Sequence, residues 1–265
     1  MKIKHYCPRC FGCKLYEIRR GKRRCAQCQY EWNPQQLPLR LCRNEWVKVL
    51  QWFLHGLSTQ TIVQETGLNR HRILRALHRV RTAMLHDIPE VFSGTVEIDE
   101  TYLGGQWKNK RAKQKRKPAK RGRGTLKTPV FGILCRGGKV WAEVVPDVEA
   151  KTLIPLISRQ VKPGSIVCSD TWKSYTGIAA KGYVHRLVDH SKKEYADPQG
   201  NHINGLEGFW GYLKRRLAAK GGIRREKLPL YLAEYVWRYN HRKLNSKQQI
   251  KEILHLLFRN KYTKI

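Results

Sequence analysis

Acids are scarce in this chain, 20 Asp and Glu against 53 Lys and Arg, so an acid at the end of an apolar run needs a chemical reason. Asp99 follows Val96-Glu97-Ile98, and Asp170 follows Ile166-Val167-Cys168-Ser169. If these runs are neighbouring strands that the two aspartates close, both carboxylates project from the same edge of one sheet. A third acid, Glu207, lies where Leu206, Phe209, Trp210, Leu213 and Leu217 mark the buried stripe of a helix. Lys214 stands seven residues on, two helical turns, and points to nearly the same side as Glu207. Three carboxylates supply the hard oxygen ligands of two Mg²⁺ or Mn²⁺ ions about 3.5–4 Å apart, with open positions for phosphate and water. Lys214 would then contact a phosphate beside the reacting bond. Taken singly, each of these acids reads as a solvated or ion-paired residue, and Glu97 or Glu100 can replace Asp99 in the set. Glycines 205, 208 and 211 weaken the helix, and close approach of backbone to DNA is one reason for them.

A second constellation is Cys7-Pro8-Arg9-Cys10 and Cys25-Ala26-Gln27-Cys28, with 14 residues between the pairs. Two such knuckles bring four thiolates around one Zn²⁺, and the residues between them form the strands of a zinc ribbon. Cys13 forms a further Cys-x-x-Cys pair with Cys10 and competes as a ligand. Cys42, Cys135 and Cys168 are isolated and read as structural thiols.

The formal charge is +33 with a pI near 10.2, and self-repulsion on that scale calls for a polyanionic partner. Nucleic acid leads, with a ribosome-associated or merely basic protein as the plain alternative. Hydrophobic residues at 41% and aromatics at 10% exclude a wholly disordered polybasic chain. The sequence has no apolar run long enough to span a bilayer and opens without a secretory pattern, so a cytoplasmic, nucleoid-associated protein is expected.

The elements that must position these residues fall into three predicted domains. Residues 1–43 form the ribbon. In residues 44–90, Trp46, Val49, Leu50 and Phe53 set a first helix, Ser58 caps a second, Gly67 turns the chain, and Asn69 caps a basic third. That order is the sequence form of a helix-turn-helix, with Arg70, Arg72, Arg75 and Arg79 as DNA contacts; an ordinary three-helix bundle with a solvated basic face is the alternative. Residues 91–265 change period: a strand at 95–99, a hairpin at 129–145, a helix at 152–161 and strands at 165–169 and 183–188 predict a mixed α/β sheet. The stretch 107–128 interrupts it. Lys and Arg fill 11 of the 20 positions from Lys108 to Lys127, so this is a loop laid along phosphates, with Lys115, Arg116, Lys117, Lys120 and Arg121 at its centre.

Three blocks, Val96-Glu97-Ile98-Asp99-Glu100-Thr101-Tyr102-Leu103-Gly104-Gly105, Cys168-Ser169-Asp170-Thr171-Trp172-Lys173-Ser174-Tyr175 and His202-Ile203-Asn204-Gly205-Leu206-Glu207-Gly208-Phe209-Trp210 with Lys214, resemble the catalytic motifs of DDE transposases from bacterial insertion sequences. The similarity is greatest to the ISXO-like branch with an N-terminal zinc ribbon and helix-turn-helix, whose C-terminal block Glu234-Tyr235-Val236-Trp237-Arg238-Tyr239-Asn240-His241-Arg242 resembles. The resemblance implies an RNase H-like catalytic domain, Asp99, Asp170 and Glu207 as metal ligands, and Lys214 as a DNA contact. It also implies Mg²⁺-dependent cleavage and strand transfer at terminal inverted repeats by a homo-oligomer on DNA. Some relatives carry Asn as the third residue, so Asn204 competes with Glu207. Two rivals stand beside this reading: a DNA-binding regulator without catalysis, and a nuclease that cuts without joining.

Overall fold

The computed structural model describes residues 7, 13–33, 38–89, 91–104, 127–170, 175, 177–188 and 203–259. The chain divides into two compact units, Met1–Asp87 with Lys243–Ile265, and Ile88–Arg242. Among the described residues no helix is long and apolar enough to cross a membrane.

The first unit opens with a three-stranded antiparallel sheet of β1 (Leu15–Ile18), β2 (Lys22–Cys25) and β3 (Glu31–Trp32). Helices α1 (Arg43–Leu54), α2 (Thr59–Thr66) and α3 (Arg70–Leu85) follow. Each begins at a side-chain cap: the Cys42–Glu45 box, Ser58 accepting from the Thr61 amide, and Asn69 accepting from the Arg72 amide. Gly67, at φ +68°, takes the left-handed conformation that stops α2. Trp46, Leu50, Ile62, Ile73 and Val80 are fully buried, one apolar stripe from each helix.

The second unit is built on a five-stranded mixed sheet. Its strands are β4 (Thr95–Leu103), β5 (Thr128–Cys135), β6 (Val140–Val144), β7 (Ile166–Asp170) and β8 (Val184–Val188), in the order β6-β5-β4-β7-β8. The pairs β4–β5 and β5–β6 are antiparallel, and β4–β7 and β7–β8 are parallel. This is the RNase H-like arrangement expected from the sequence. Alternation along the strands serves two cores. Val96, Ile98, Phe131, Ile133 and Val167 pack with Leu153 and Ile157 of α4 (Ala150–Gln160) on one face. On the other, Leu103, Val130 and Leu134 pack with Leu206, Phe209 and Leu213 of α5 (Asn204–Ala218) and Leu232 of α6 (Leu228–Asn240).

Two expectations need correcting. Asp99 does not close its strand: β4 runs on to Leu103, because Glu100 to Leu103 continue the antiparallel pairing with Phe131 to Thr128. The sheet unit also does not reach the C-terminus. Helix α7 (Ser246–Arg259) packs on α1 and α3 in the first unit, where Ile253, Leu254, Leu256 and Leu257 are buried. Helical periodicity announces a buried face without saying which of two cores receives it.

Candidate active site and metal sites

The parallel register of β4 and β7 pairs Thr95 with Ile166, Val96 with Val167 and Glu97 with Cys168. Two residues further along both strands, the same register sets Asp99 beside Asp170, where β7 ends. The two aspartates are close enough for the Asp170 charge to act on Asp99. Burial pushes the Asp99 carboxyl up to about 7, with the Glu100 and Asp170 charges adding to the rise, against hydrogen bonds from the Glu100 amide and Trp210.

Trp210 reaches Asp99 from α5: its indole Nε1–H donates to Asp99 Oδ2 at 3.0 Å. Space for the ring comes from Gly132, which stands opposite Asp99 in the β4–β5 pair; a Cβ there would lie 2.6 Å from two indole carbons. Glu207 precedes Trp210 by three residues, so the sides of α5 that carry them adjoin. Glu207 and Lys214 are both exposed, as is Asn204. Among the described residues, no three carboxylates offer oxygens that all lie within 4.8 Å of one another.

The other two acids of β4 have partners of their own. Glu97 is 1% exposed; it accepts a hydrogen bond from the Leu206 amide at 2.8 Å and lies 3.3 Å from Arg136 Nε. Glu100 accepts the buried Tyr175 hydroxyl at 2.5 Å. Burial, then the Glu100 charge, raise the Tyr175 phenol well above its usual range. Close approach explains Gly205, but to protein rather than DNA: a Cβ there would meet Glu97 Oε2 at 2.9 Å. On the opposite side of β7, Ser169 Oγ and His185 Nε2 are 2.8 Å apart.

In the first unit Cys7, Cys25 and Cys28 gather with their sulfurs within 4.8 Å of one another, and Cys7 and Cys28 are 3.5 Å apart. Thiolates at about 2.3 Å around a tetrahedral Zn²⁺ stand roughly 3.8 Å apart, so the three fit that ion. Cys10, the expected fourth ligand, lies outside the described residues, as do Lys115, Arg116, Lys117, Lys120 and Arg121. Cys13 is exposed and outside the group. On α3, Arg70 and Arg75 are exposed, whereas Arg72 and Arg79 are half-buried. Beside them sit His71, Leu74 and His78, which line a groove with Pro38, Leu39, Arg75 and Arg79.

Sequence reasoning missed Trp210 as a ligand to Asp99, Glu97 as a partner of α5, and Tyr175. One available signal was Gly132 in the middle of an apolar strand, which marks a close approach.

A mixed sheet with paired aspartates on adjoining parallel strands, faced by a helix carrying an acid and a lysine, defines an RNase H-like domain. The chain belongs to the ISXO2-like transposase family, whose domain matches residues 91–240. A transposase-like protein of Haemophilus influenzae is 40% identical over 112 residues, covering 42% of this chain and 89% of that protein. A protein in the transposable element ISH50 of Halobacterium salinarum is 26% identical over 272 residues, covering 94% of this chain and 90% of the relative. Among solved structures, the catalytic core domain of BIV integrase matches 65% of this chain and 100% of its own, at 20% identity and a TM-score of 0.37. The Mos1 strand transfer complex matches 83% of this chain and 78% of its own, at 13% identity and a TM-score of 0.34.

Proposed function

We propose that this transposase cuts a DNA strand at the end of its element and joins the freed 3′-OH to target DNA, with Asp99, Asp170 and Glu207 holding two Mg²⁺ or Mn²⁺ ions. The observation that carries this reading is the parallel register of β4 and β7, which brings Asp99 near enough to Asp170 to feel its charge, with the helix of Glu207 hydrogen-bonded to Asp99 through Trp210.

The donor chemistry fits such ions. Carboxylate oxygens are the hard ligands that Mg²⁺ takes, and the crowding of Asp99 with Glu100 and Asp170 is relieved by a cation. A set of carboxylates looser than a one-ion site is compatible, because two ions would share these ligands. When bound, the ions supply Lewis-acid activation of water and of the 3′-OH, and stabilise the leaving oxygen. Asp99 would hold an ion as the ionised carboxylate, so metal binding and the proton that burial favours would compete for it. Trp210, donating to Asp99 Oδ2, and the Glu100 amide orient the Asp99 carboxylate toward the ions it would hold. Lys214, two turns along α5 from Glu207, binds a phosphate beside the scissile bond. No side chain acts as nucleophile; water and then the 3′-OH attack in line.

The first unit supplies end recognition: α2, the Gly67 turn and α3 act as a helix-turn-helix, with Arg70, Arg72, Arg75 and Arg79 at the terminal inverted repeats. A Zn²⁺ on Cys7, Cys10, Cys25 and Cys28 orders the ribbon. Lys115, Arg116, Lys117, Lys120 and Arg121 bind phosphates without reading sequence. An element has two ends and each needs a cut, so at least two copies assemble on DNA. The test is incubation with a labelled element end, supercoiled target DNA and Mg²⁺. Joined product supports the proposal; cutting without joining makes the protein a nuclease, and binding alone makes it a regulator.

A further inference from the structure

Glu97 is a fully buried carboxylate that the metal chemistry does not use. Leaving an ionised carboxylate out of water is costly unless charge and hydrogen bonds compensate it. Two groups do so here. Arg136 lies against one oxygen, and the amide of Leu206, in the first turn of α5, donates to the other. The positive end of the helix dipole adds to both. The fit is tight: a Cβ on Gly205 would stand 2.9 Å and 3.2 Å from the two carboxylate oxygens, so a larger residue would shift either the helix or the carboxylate it is fastened to.

The position of this contact gives it a use. Glu207 is the residue after Leu206. One turn further, Trp210 donates to Asp99. Helix α5 is therefore fastened to β4 at two points, Leu206 on Glu97 and Trp210 on Asp99. Four helical residues rise about 6 Å and two strand residues about 6.7 Å, so the two spacings match. Two such points fix both the slide and the rotation of the helix, and Glu207 lies between them. Arg136 extends the tie to the second aspartate's strand, since its Nη2 is 3.8 Å from the sulfur of Cys168, two residues before Asp170.

We propose that Glu97 is a positioning residue for the metal centre, holding the first turn of α5 so that Glu207 meets the ions set by Asp99 and Asp170. This rests on the metal-dependent reading above. Residues that orient ligands typically change metal affinity or activity by about 10-fold to 100-fold when altered.

The test uses the full chain with Glu97→Gln, Glu97→Ala and Gly205→Ala, the last disturbing the contact while keeping the carboxylate. Mn²⁺ binding is read by electron paramagnetic resonance, and the Mg²⁺ concentration for half-maximal cleavage is read with affinity for the element end measured separately. The expected result is a metal requirement raised about tenfold or more in Glu97→Ala and Gly205→Ala, with end affinity unchanged. Glu97→Gln, whose amide oxygen still accepts from Leu206, should fall between Glu97→Ala and wild type. Wild-type metal binding in Gly205→Ala and in every Glu97 variant that folds would overturn the proposal. If the wild type itself neither binds Mn²⁺ nor cuts, the functional reading fails instead. The Leu206 amide also donates to the Ile203 carbonyl at 3.1 Å, so its hydrogen exchange should be faster in Glu97→Ala than in wild type but not unprotected, and metal binding remains the deciding measurement.

Discussion

Gly132 stands directly across the β4–β5 pair from Asp99, and the space its side chain would fill holds the indole that hydrogen-bonds Asp99. The absence of a side chain on one strand thus sets the orientation of a carboxylate on the next. Gly132→Ala would place its Cβ 2.6 Å from the ring and force the indole out. Overpacking of this kind costs about 1–3 kcal/mol, so the midpoint of urea unfolding should fall. Cleavage should drop further than that loss of stability explains. Trp210→Phe, which keeps most of the ring and loses the donor, should reduce cleavage with a smaller change in stability; full activity in Trp210→Phe would show that the hydrogen bond is dispensable.

Asp99 carries a cost that metal should remove. Its folded pKa of about 7 is above the ordinary 3.8, so the folded chain binds the proton more tightly than the unfolded one. The associated stability is present below about pH 4, declines as pH rises, and is lost once the folded carboxyl ionises above about pH 7. Asp99→Asn lacks this decline. In EDTA the variant should match wild type near pH 4 and exceed it at pH 8, by roughly 4 kcal/mol at most at about 1.4 kcal/mol per pH unit. Mg²⁺ should narrow the gap by stabilising wild type alone. Urea unfolding at the two pH values, with and without Mg²⁺, checks it, and a gap independent of pH contradicts the assignment.

If the cysteine group binds zinc as proposed, its members divide by position. Cys7→Ser, Cys25→Ser and Cys28→Ser each remove a sulfur from the described cluster, and each should release one zinc per chain. Cys10→Ser should do the same. Cys13→Ser, at an exposed residue outside that cluster, should retain the metal. Zinc content by mass spectrometry decides, and loss in Cys13→Ser with retention in Cys10→Ser would move the fourth ligand to Cys13.

Much of this site was legible in the sequence because it lies on strongly periodic elements. Asp170 ends a short apolar run, and the stripe Leu206, Phe209, Trp210 and Leu213 fixes which side of α5 meets the sheet. What could not be read depends on pairs distant in sequence. Glu97 and Asp99 have the same charge and alternate to the same face of β4, so the sequence does not say which part of the helix each one meets or which of them neighbours the second aspartate. Position along the helix decides: the Leu206 amide falls at Glu97 and the Trp210 indole at Asp99. The length of β4 beyond Asp99 was hidden for a similar reason, since it depends on pairing with β5 across the basic insert.

The basic insert should act through counterion release. Replacing Lys115, Arg116, Lys117, Lys120 and Arg121 with Gln removes five charges, and the slope of log affinity against log salt should flatten by up to about 0.9 for each phosphate no longer neutralised. Affinity should fall equally for element ends and random DNA. A selective weakening at the ends, in fluorescence anisotropy at several salt concentrations, would mean that this segment reads sequence.

In the proposed metal centre the third ligand is Glu207 or Asn204, three residues apart in the first turn of α5 and both exposed. Electrostatics favours Glu207, because two divalent ions facing a phosphodiester need anionic ligands and an amide offers only a dipole. Position favours it too. Glu207 follows the anchored Leu206 and adjoins the side of Trp210, which touches Asp99, whereas Asn204 begins the helix before the anchor. Glu207→Gln should therefore abolish cleavage and joining while leaving DNA binding and the unfolding midpoint near wild type. Asp99→Asn and Asp170→Asn should also abolish cleavage. Asn204→Ala should cost less, about tenfold or under, since it removes no metal charge. The comparison is Mg²⁺-dependent cleavage of a labelled end at matched DNA occupancy. Cleavage surviving in Glu207→Gln and abolished in Asn204→Ala would transfer the ligand role to Asn204, and the two-point fastening of α5 would then position the wrong residue.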